Sequence, residues 1–114
     1  MDIRREIKDL VRRHPLILFM KGTPEYPMCA ASAQASEALQ QADAPFHAVD
    51  VQQNPRLRAG LPRYSNWPDF PQLFVQGDLI GGCEVVIDLL QSGELARLAH
   101  DLAPSLIPTC TFRA

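Results

Sequence analysis

The chain has 114 residues, of which 46% are hydrophobic and 21% charged, a size that suits one domain with one modest core. Eleven Lys and Arg against thirteen Asp and Glu leave a formal net charge of -2. With no basic tract, that balance offers no surface for nucleic acid or an anionic membrane. The longest apolar run, Leu16 to Met20, is too short to cross a bilayer. The charged start, Asp2-Ile3-Arg4-Arg5-Glu6, reads as a helix rather than a signal peptide, which predicts a reducing, cytoplasmic location. The cysteines agree. Cys29, Cys83 and Cys110 are odd in number, widely spaced and without a Cys-x-x-Cys pair, a pattern that fits neither a disulfide framework nor structural zinc. His14, His47 and His100 are scattered singly and read as surface or packing residues.

In chain order, Ile3, Ile7, Leu10 and Val11 recur at helical spacing, and the segment stops before His14-Pro15. The run Leu16 to Met20 predicts a strand covered on both faces. Lys21-Gly22-Thr23-Pro24-Glu25-Tyr26-Pro27 is a loop. From Cys29 to about Gln41 the alanine-rich composition predicts a helix, and Phe46 to Val51 a short strand. Asn54 as N-cap and Pro55 in the first helical position open another helix, expected to end near Leu61. Gly60 within it costs about 1 kcal/mol relative to alanine. Pro62 to Phe70 reads as irregular.

Gln72 to Val75 and Asp78 to Ile80 flank Gln76-Gly77 as a tight hairpin. Gly81-Gly82 breaks the second strand. Val85, Val86, Leu89 and Leu90 then mark a helix, and Leu95, Leu98, Ala99 and Leu102 a last one after Ser92-Gly93. From Pro104 the chain reads as a loose tail, giving a domain over 1–103 and a tail over 104–114. The order α, β, α, β, α, β, β, α, α suits a four-stranded mixed sheet with helices on both faces, an α/β fold of thioredoxin-like arrangement.

The chemistry gathers at one cysteine. A strand feeds a Gly/Pro loop that delivers Cys29 to a helix N-terminus, where free backbone N–H groups and the helix dipole favour a thiolate. Lys21 adds a positive charge nearby. From layout alone the alternative stays open that Cys29 is a buried packing residue.

Met20-Lys21-Gly22-Thr23-Pro24-Glu25-Tyr26-Pro27-Met28-Cys29 resembles the active-site approach of monothiol glutaredoxins, the class usually carrying Cys-Gly-Phe-Ser. Gln53-Asn54-Pro55, Asn66-Trp67-Pro68-Asp69-Phe70-Pro71-Gln72-Leu73 and Gly81-Gly82-Cys83-Glu84 match in the same order, so the resemblance spans most of residues 1–102. It implies a glutathione groove. Lys21 and Arg58 are expected to pair with the glycyl carboxylate; read by spacing alone, Arg58 is a solvated helix residue. Phe70 and a cis Pro71 are expected to present a backbone edge to the cysteinyl part. Cys83 and Glu84 are expected to hold the γ-glutamyl carboxylate through N–H groups at a helix start, with the Cys83 side chain itself small and buried. Trp67 reads as groove wall or core.

The resemblance also implies a 2Fe–2S cluster bridged between two subunits, with one Cys29 thiolate from each and two glutathione sulfurs completing four thiolates. The chain is then a homodimer with its cluster and a monomer without it, passing the cluster to iron–sulfur recipient proteins. The alternative activity is a glutathione-dependent thiol–disulfide oxidoreductase acting by a monothiol route. A third role is docking of a BolA-like partner.

Two positions depart from the family pattern. Cys29-Ala30-Ala31-Ser32 replaces Cys-Gly-Phe-Ser, which removes glycine's backbone freedom and an aromatic face beside the thiol. Asp69 stands where threonine is usual and brings a negative charge toward the groove. Ser32 sits where dithiol relatives carry a resolving cysteine, leaving Cys83 or Cys110 as the other thiols.

Overall fold

A computed structural model describes residues 2–102; the predicted tail lies outside them. α1 runs Ile3–Arg13, opened by Asp2, whose carboxylate accepts the Arg4 N–H at 3.1 Å, and closed by Arg12 and Arg13 at the negative end of its dipole. β1 (Leu16–Met20), α2 (Ala30–Gln41), β2 (His47–Asp50), α3 (Pro55–Ser65), β3 (Gln72–Val75), β4 (Asp78–Gly81), α4 (Cys83–Ser92) and α5 (Glu94–Leu102) follow. The sheet order is β2-β1-β3-β4, with β1 parallel to β2 and the other pairs antiparallel. This is the predicted mixed four-stranded, thioredoxin-like sheet.

Alternation along β1 divides the core between the two faces. Leu16, Leu18 and Met20 pack with Ala35 and Leu39 of α2, Val86 of α4 and Leu95 of α5. Ile17 and Phe19 pack with Ile7 and Val11 of α1 and Leu57 and Leu61 of α3. A strand covered this way has no polar face to offer, which is why it reads as five apolar residues in a row. The β3–β4 turn places Gln76 and Gly77 at φ +50° and +89°, the double left-handed geometry of a tight hairpin. Among the described residues no helix is long and apolar enough to cross a membrane.

Several element boundaries differ from expectation: β2 begins at His47 rather than Phe46, β4 runs on through Gly81 rather than breaking there, and two further shifts have a visible cause. The second strand ends at Asp50, because the Asp50 carboxylate accepts the Gln52 N–H at 2.9 Å and turns Val51–Gln53 into a single 3-10 turn. α3 continues past Leu61 and through Pro62 to Ser65. Proline there removes a helical donor, but Leu57, Leu61 and Tyr64 are packed into the second core cluster, and that burial keeps the helix intact. Gly60 also has a reason: a Cβ there falls 2.9 Å from Ile3 Cγ1, so glycine lets α3 approach α1.

Candidate functional site

The loop after β1 is tied down at several points. The Met28 N–H donates to the Lys21 carbonyl at 2.9 Å, and Thr23 and Tyr26 exchange backbone bonds at 3.2 and 3.1 Å. The Gly22 N–H donates to Asp50 Oδ1 at 2.9 Å, which fastens the loop to the end of β2. Cys29 emerges in extended conformation as the N-cap of α2.

Its sulfur takes the place that a serine or aspartate oxygen usually fills in a cap. Cys29 Sγ accepts the Ser32 N–H at 3.4 Å and lies 3.2 Å from Ser32 Oγ. Ser32 is buried, and its Oγ already accepts the Lys21 N–H at 3.0 Å. A hydroxyl engaged as acceptor there still has its own hydrogen to turn toward a sulfur anion. Burial pushes the Cys29 thiol up, but the Ser32 hydroxyl and N–H, the Lys21 charge and the Ala31 N–H outweigh it. The net result holds Cys29 below the ordinary thiol value. The thiol is half-buried rather than sealed in the core, so the packing alternative does not apply.

Beside it lies a groove of about 600 Å³. Lys21, Arg58, Phe70, Cys83 and Glu84, all singled out from the sequence, line it together, with Ala31, Trp67, Asp69 and Pro71. Cys29 is not itself a lining residue, but its sulfur interacts electrostatically with Lys21 and Cys83, which both line the groove. Arg58 is exposed on α3 yet faces this groove. The Phe70–Pro71 bond is cis, as expected. Gly82 is the N-cap of α4 and offers no side-chain cap, so first-turn N–H groups are left for an anionic group. A Cβ at Gly82 falls 3.2 Å from the Pro71 carbonyl oxygen and 3.3 Å from Trp67 Nε1; glycine there lets the wall close onto the helix start.

The Cys83 side chain corrects one expectation. It is half-exposed at the groove rather than buried, and its thiol donates to Gln34 Oε1 at 3.3 Å. Burial, the Glu84 carboxylate and the negative charge of Cys29 all push Cys83 up. The two thiols are therefore driven in opposite directions. Sequence reasoning treated Ser32 only as a missing cysteine and overlooked its hydroxyl; its place three residues after the N-cap was the available signal. Asp50 gave no signal, because its contact with Gly22 spans 28 residues. Among the described residues, no group of three or more His, Cys, Asp and Glu converges to hold a metal.

Residues 16–80 match the Glutaredoxin family. The chain is 47% identical over 103 residues to Glutaredoxin 4 of Haemophilus influenzae, covering 90% of this chain and 96% of that protein. It is 48% identical over 98 residues to Glutaredoxin 4 of Escherichia coli, covering 86% of this chain and 85% of that one. The solution structure of reduced apo GrxS14 from poplar superposes with a TM-score of 0.73 at 36% identity, over 90% of this chain and 94% of that one. The chain belongs to the glutaredoxin family, in its monothiol branch.

Proposed function

We propose that this protein binds glutathione in the groove beside Cys29 and carries a 2Fe–2S cluster as cargo between two protomers. The observation that carries the reading is a half-buried thiol, held below its ordinary pKa by Ser32 and Lys21, next to a groove with cations at Lys21 and Arg58 and a helix N-terminus at Cys83 and Glu84. In it, Lys21 and Arg58 hold the glycyl carboxylate, the Phe70–Pro71 backbone aligns the cysteinyl part, and the Cys83 and Glu84 N–H groups take the γ-glutamyl carboxylate. Such a clamp sets the glutathione sulfur next to Cys29. One Cys29 and one glutathione from each protomer make up the four thiolates that a 2Fe–2S centre needs. Cargo binding and dimerisation are then one event, and the unloaded protein is a monomer. Iron–sulfur recipient proteins and a BolA-like protein are the proposed partners, in a reducing cytoplasm that keeps Cys29 free.

The test is anaerobic reconstitution with iron, sulfide and glutathione, followed by visible absorbance and gel filtration. Visible bands and a dimer are expected, and both should vanish without glutathione or in Cys29→Ser, whereas Cys83→Ser keeps them. A cluster that forms equally well without glutathione refutes the ligand set.

A second reading, glutathione-dependent reduction of mixed disulfides, is favoured by the lowered Cys29 thiol. Cys29 Sγ attacks the glutathionyl sulfur of a mixed disulfide, so a new S–S bond forms and the substrate leaves as a thiolate that takes a proton. A glutathione thiolate then displaces Cys29, leaving glutathione disulfide. Brisk turnover of a glutathionylated peptide with no cluster on reconstitution makes this the principal activity.

A further inference from the structure

The groove wall from Trp67 to Pro71 belongs to no helix or strand, yet it must hold its shape if it is to align a ligand. Gln72, the first residue of β3, is completely buried. Its backbone pairs with Phe19 of β1 in the middle of the sheet, so the residue has a rigid base. Its side chain reaches back to the wall. Gln72 Nε2 donates to the Trp67 carbonyl at 2.9 Å and to the Asp69 carbonyl at 3.2 Å. An amide nitrogen has two hydrogens, and both are spent on this loop. The amide oxygen, also buried, has no partner among the described residues. Leaving such an atom unpaired is costly, so what the polar side chain gains at this place comes through Nε2 alone.

We infer that Gln72 is a positioning residue for the groove: its amide straps the Trp67–Asp69 segment to the central sheet and fixes the wall that faces the ligand. The consequence reaches both sides of the groove. The Pro71 carbonyl and Trp67 pack closely on Gly82, where a Cβ would fall 3.2 and 3.3 Å from them and crowd both, so a wall that drifts also loosens its fit to the start of α4. The strap is separate from the Ser32–Lys21 contacts that hold Cys29, so the thiol's acidity should not depend on it. The binding part of this inference rests on the glutathione reading above; the wall-fixing part does not.

Gln72→Met tests it, because methionine fills similar space and donates nothing. Trp67 is the only tryptophan in the chain, so its fluorescence reports the wall directly. In Gln72→Met the Trp67 emission should shift and its anisotropy fall, and glutathione should bind about tenfold more weakly by calorimetry, the worth of roughly one net hydrogen bond. The pH profile of Cys29 alkylation should stay in place. A role confined to stability would lower the unfolding midpoint but leave Trp67 anisotropy and affinity at their wild-type values well below that midpoint, and this result overturns the inference. So does a moved Trp67 signal with unchanged affinity.

If the wild-type protein fails to bind glutathione, the functional reading fails and the Trp67 signal alone judges the strap. Should Gln72→Met not fold, Gln72→Glu replaces it. A protonated carboxyl keeps glutamine's shape and one donor, whereas an ionised one has none. Because even the protonated carboxyl has one donor where the amide has two, Trp67 anisotropy should lie below wild type throughout pH 5 to 8 whether or not the buried carboxyl ionises, and anisotropy equal to wild type over that whole range overturns the strap.

Discussion

Replacing Gly22 by alanine tests whether the loop before Cys29 is a fixed scaffold. Gly22 has φ +89°, and a Cβ built on it falls 2.5 Å from the Tyr26 carbonyl oxygen and 2.6 Å from the Met28 nitrogen. Both are backbone atoms, so no rotamer change relieves the contact. Gly77 provides a matched control: its φ is also +89°, but nothing lies within 4 Å of its Cβ position. Gly77→Ala therefore carries only the strain of a left-handed alanine, about 1 kcal/mol. Gly22→Ala carries the same strain and must also open the loop, giving up the Met28 N–H bond to Lys21 and the Gly22 N–H bond to Asp50. At about 1 kcal/mol for each bond, its total is about 3 kcal/mol. The difference of about 2 kcal/mol corresponds to at least about 8 °C in Tm for a domain of this size. Circular dichroism melts of both variants measure that gap, and mass analysis of iodoacetamide-treated protein gives the alkylation rate at Cys29. Gly22→Ala should also alkylate more slowly at neutral pH, because a displaced loop draws the sulfur away from Ser32. Gly77→Ala should alkylate like wild type. Equal melting of the two variants, or an unchanged Cys29 rate in Gly22→Ala, refutes the reasoning.

Ser32→Ala removes the hydroxyl beside the sulfur, so the Cys29 pKa should rise and the alkylation–pH curve move to higher pH; a curve that stays put shows the hydroxyl to be idle. Asp69→Thr takes a carboxylate out of a groove meant for an anionic tripeptide. At about 0.5 kcal/mol for charges about 8 Å apart near water's dielectric constant, glutathione should bind about twofold tighter in low salt, an advantage that calorimetry in high salt should see disappear. His14 and His47 stack with ring centroids 3.9 Å apart, and both are held below the ordinary imidazole value of 6.5, His14 by burial, then His47, then the Arg13 charge, and His47 by burial and then the Arg13 charge. The folded chain then binds fewer protons than the unfolded one, so this stability is full above pH 6.5 and lost as pH falls toward the folded values. His14→Gln should flatten the decline of the urea midpoint between pH 7 and 5, and an equally steep decline tells against the pair.

Much of the fold was legible because local and tertiary signals agree. The five apolar residues of β1 are buried on both faces, Asn54-Pro55 does open α3, and Gln76-Gly77 does adopt the hairpin turn. The reading failed where burial overrode a local preference, as at Pro62, and where exposure depended on a distant neighbour, as at Cys83. The groove was reachable only through resemblance. Its lining comes from four separate stretches of chain, and no periodicity indicates that Arg58 and Glu84 face one space. Contacts such as Gln72 to the Trp67 carbonyl were likewise invisible, because a buried glutamine in a strand carries no mark of what its amide will meet.

The position of Ser32 explains why one fold can use the same thiolate for different ends. Three residues after the cap, a side chain lies against Cys29 Sγ whatever its chemistry, since the helix geometry sets the approach. A cysteine there can attack a disulfide formed on Cys29 and end it. A serine keeps the stabilising donor and has no sulfur to attack with. The other described cysteine is poorly placed to take over: Cys83 is pushed toward its protonated form and turns its hydrogen to Gln34, and the protonated form is not a nucleophile. Among the described residues, no second thiol is then poised to remove a sulfur ligand from Cys29. Persistence of that ligand slows a disulfide-reducing cycle at low glutathione and favours holding a cargo until a partner arrives, which is why the serine weighs toward the carrier reading.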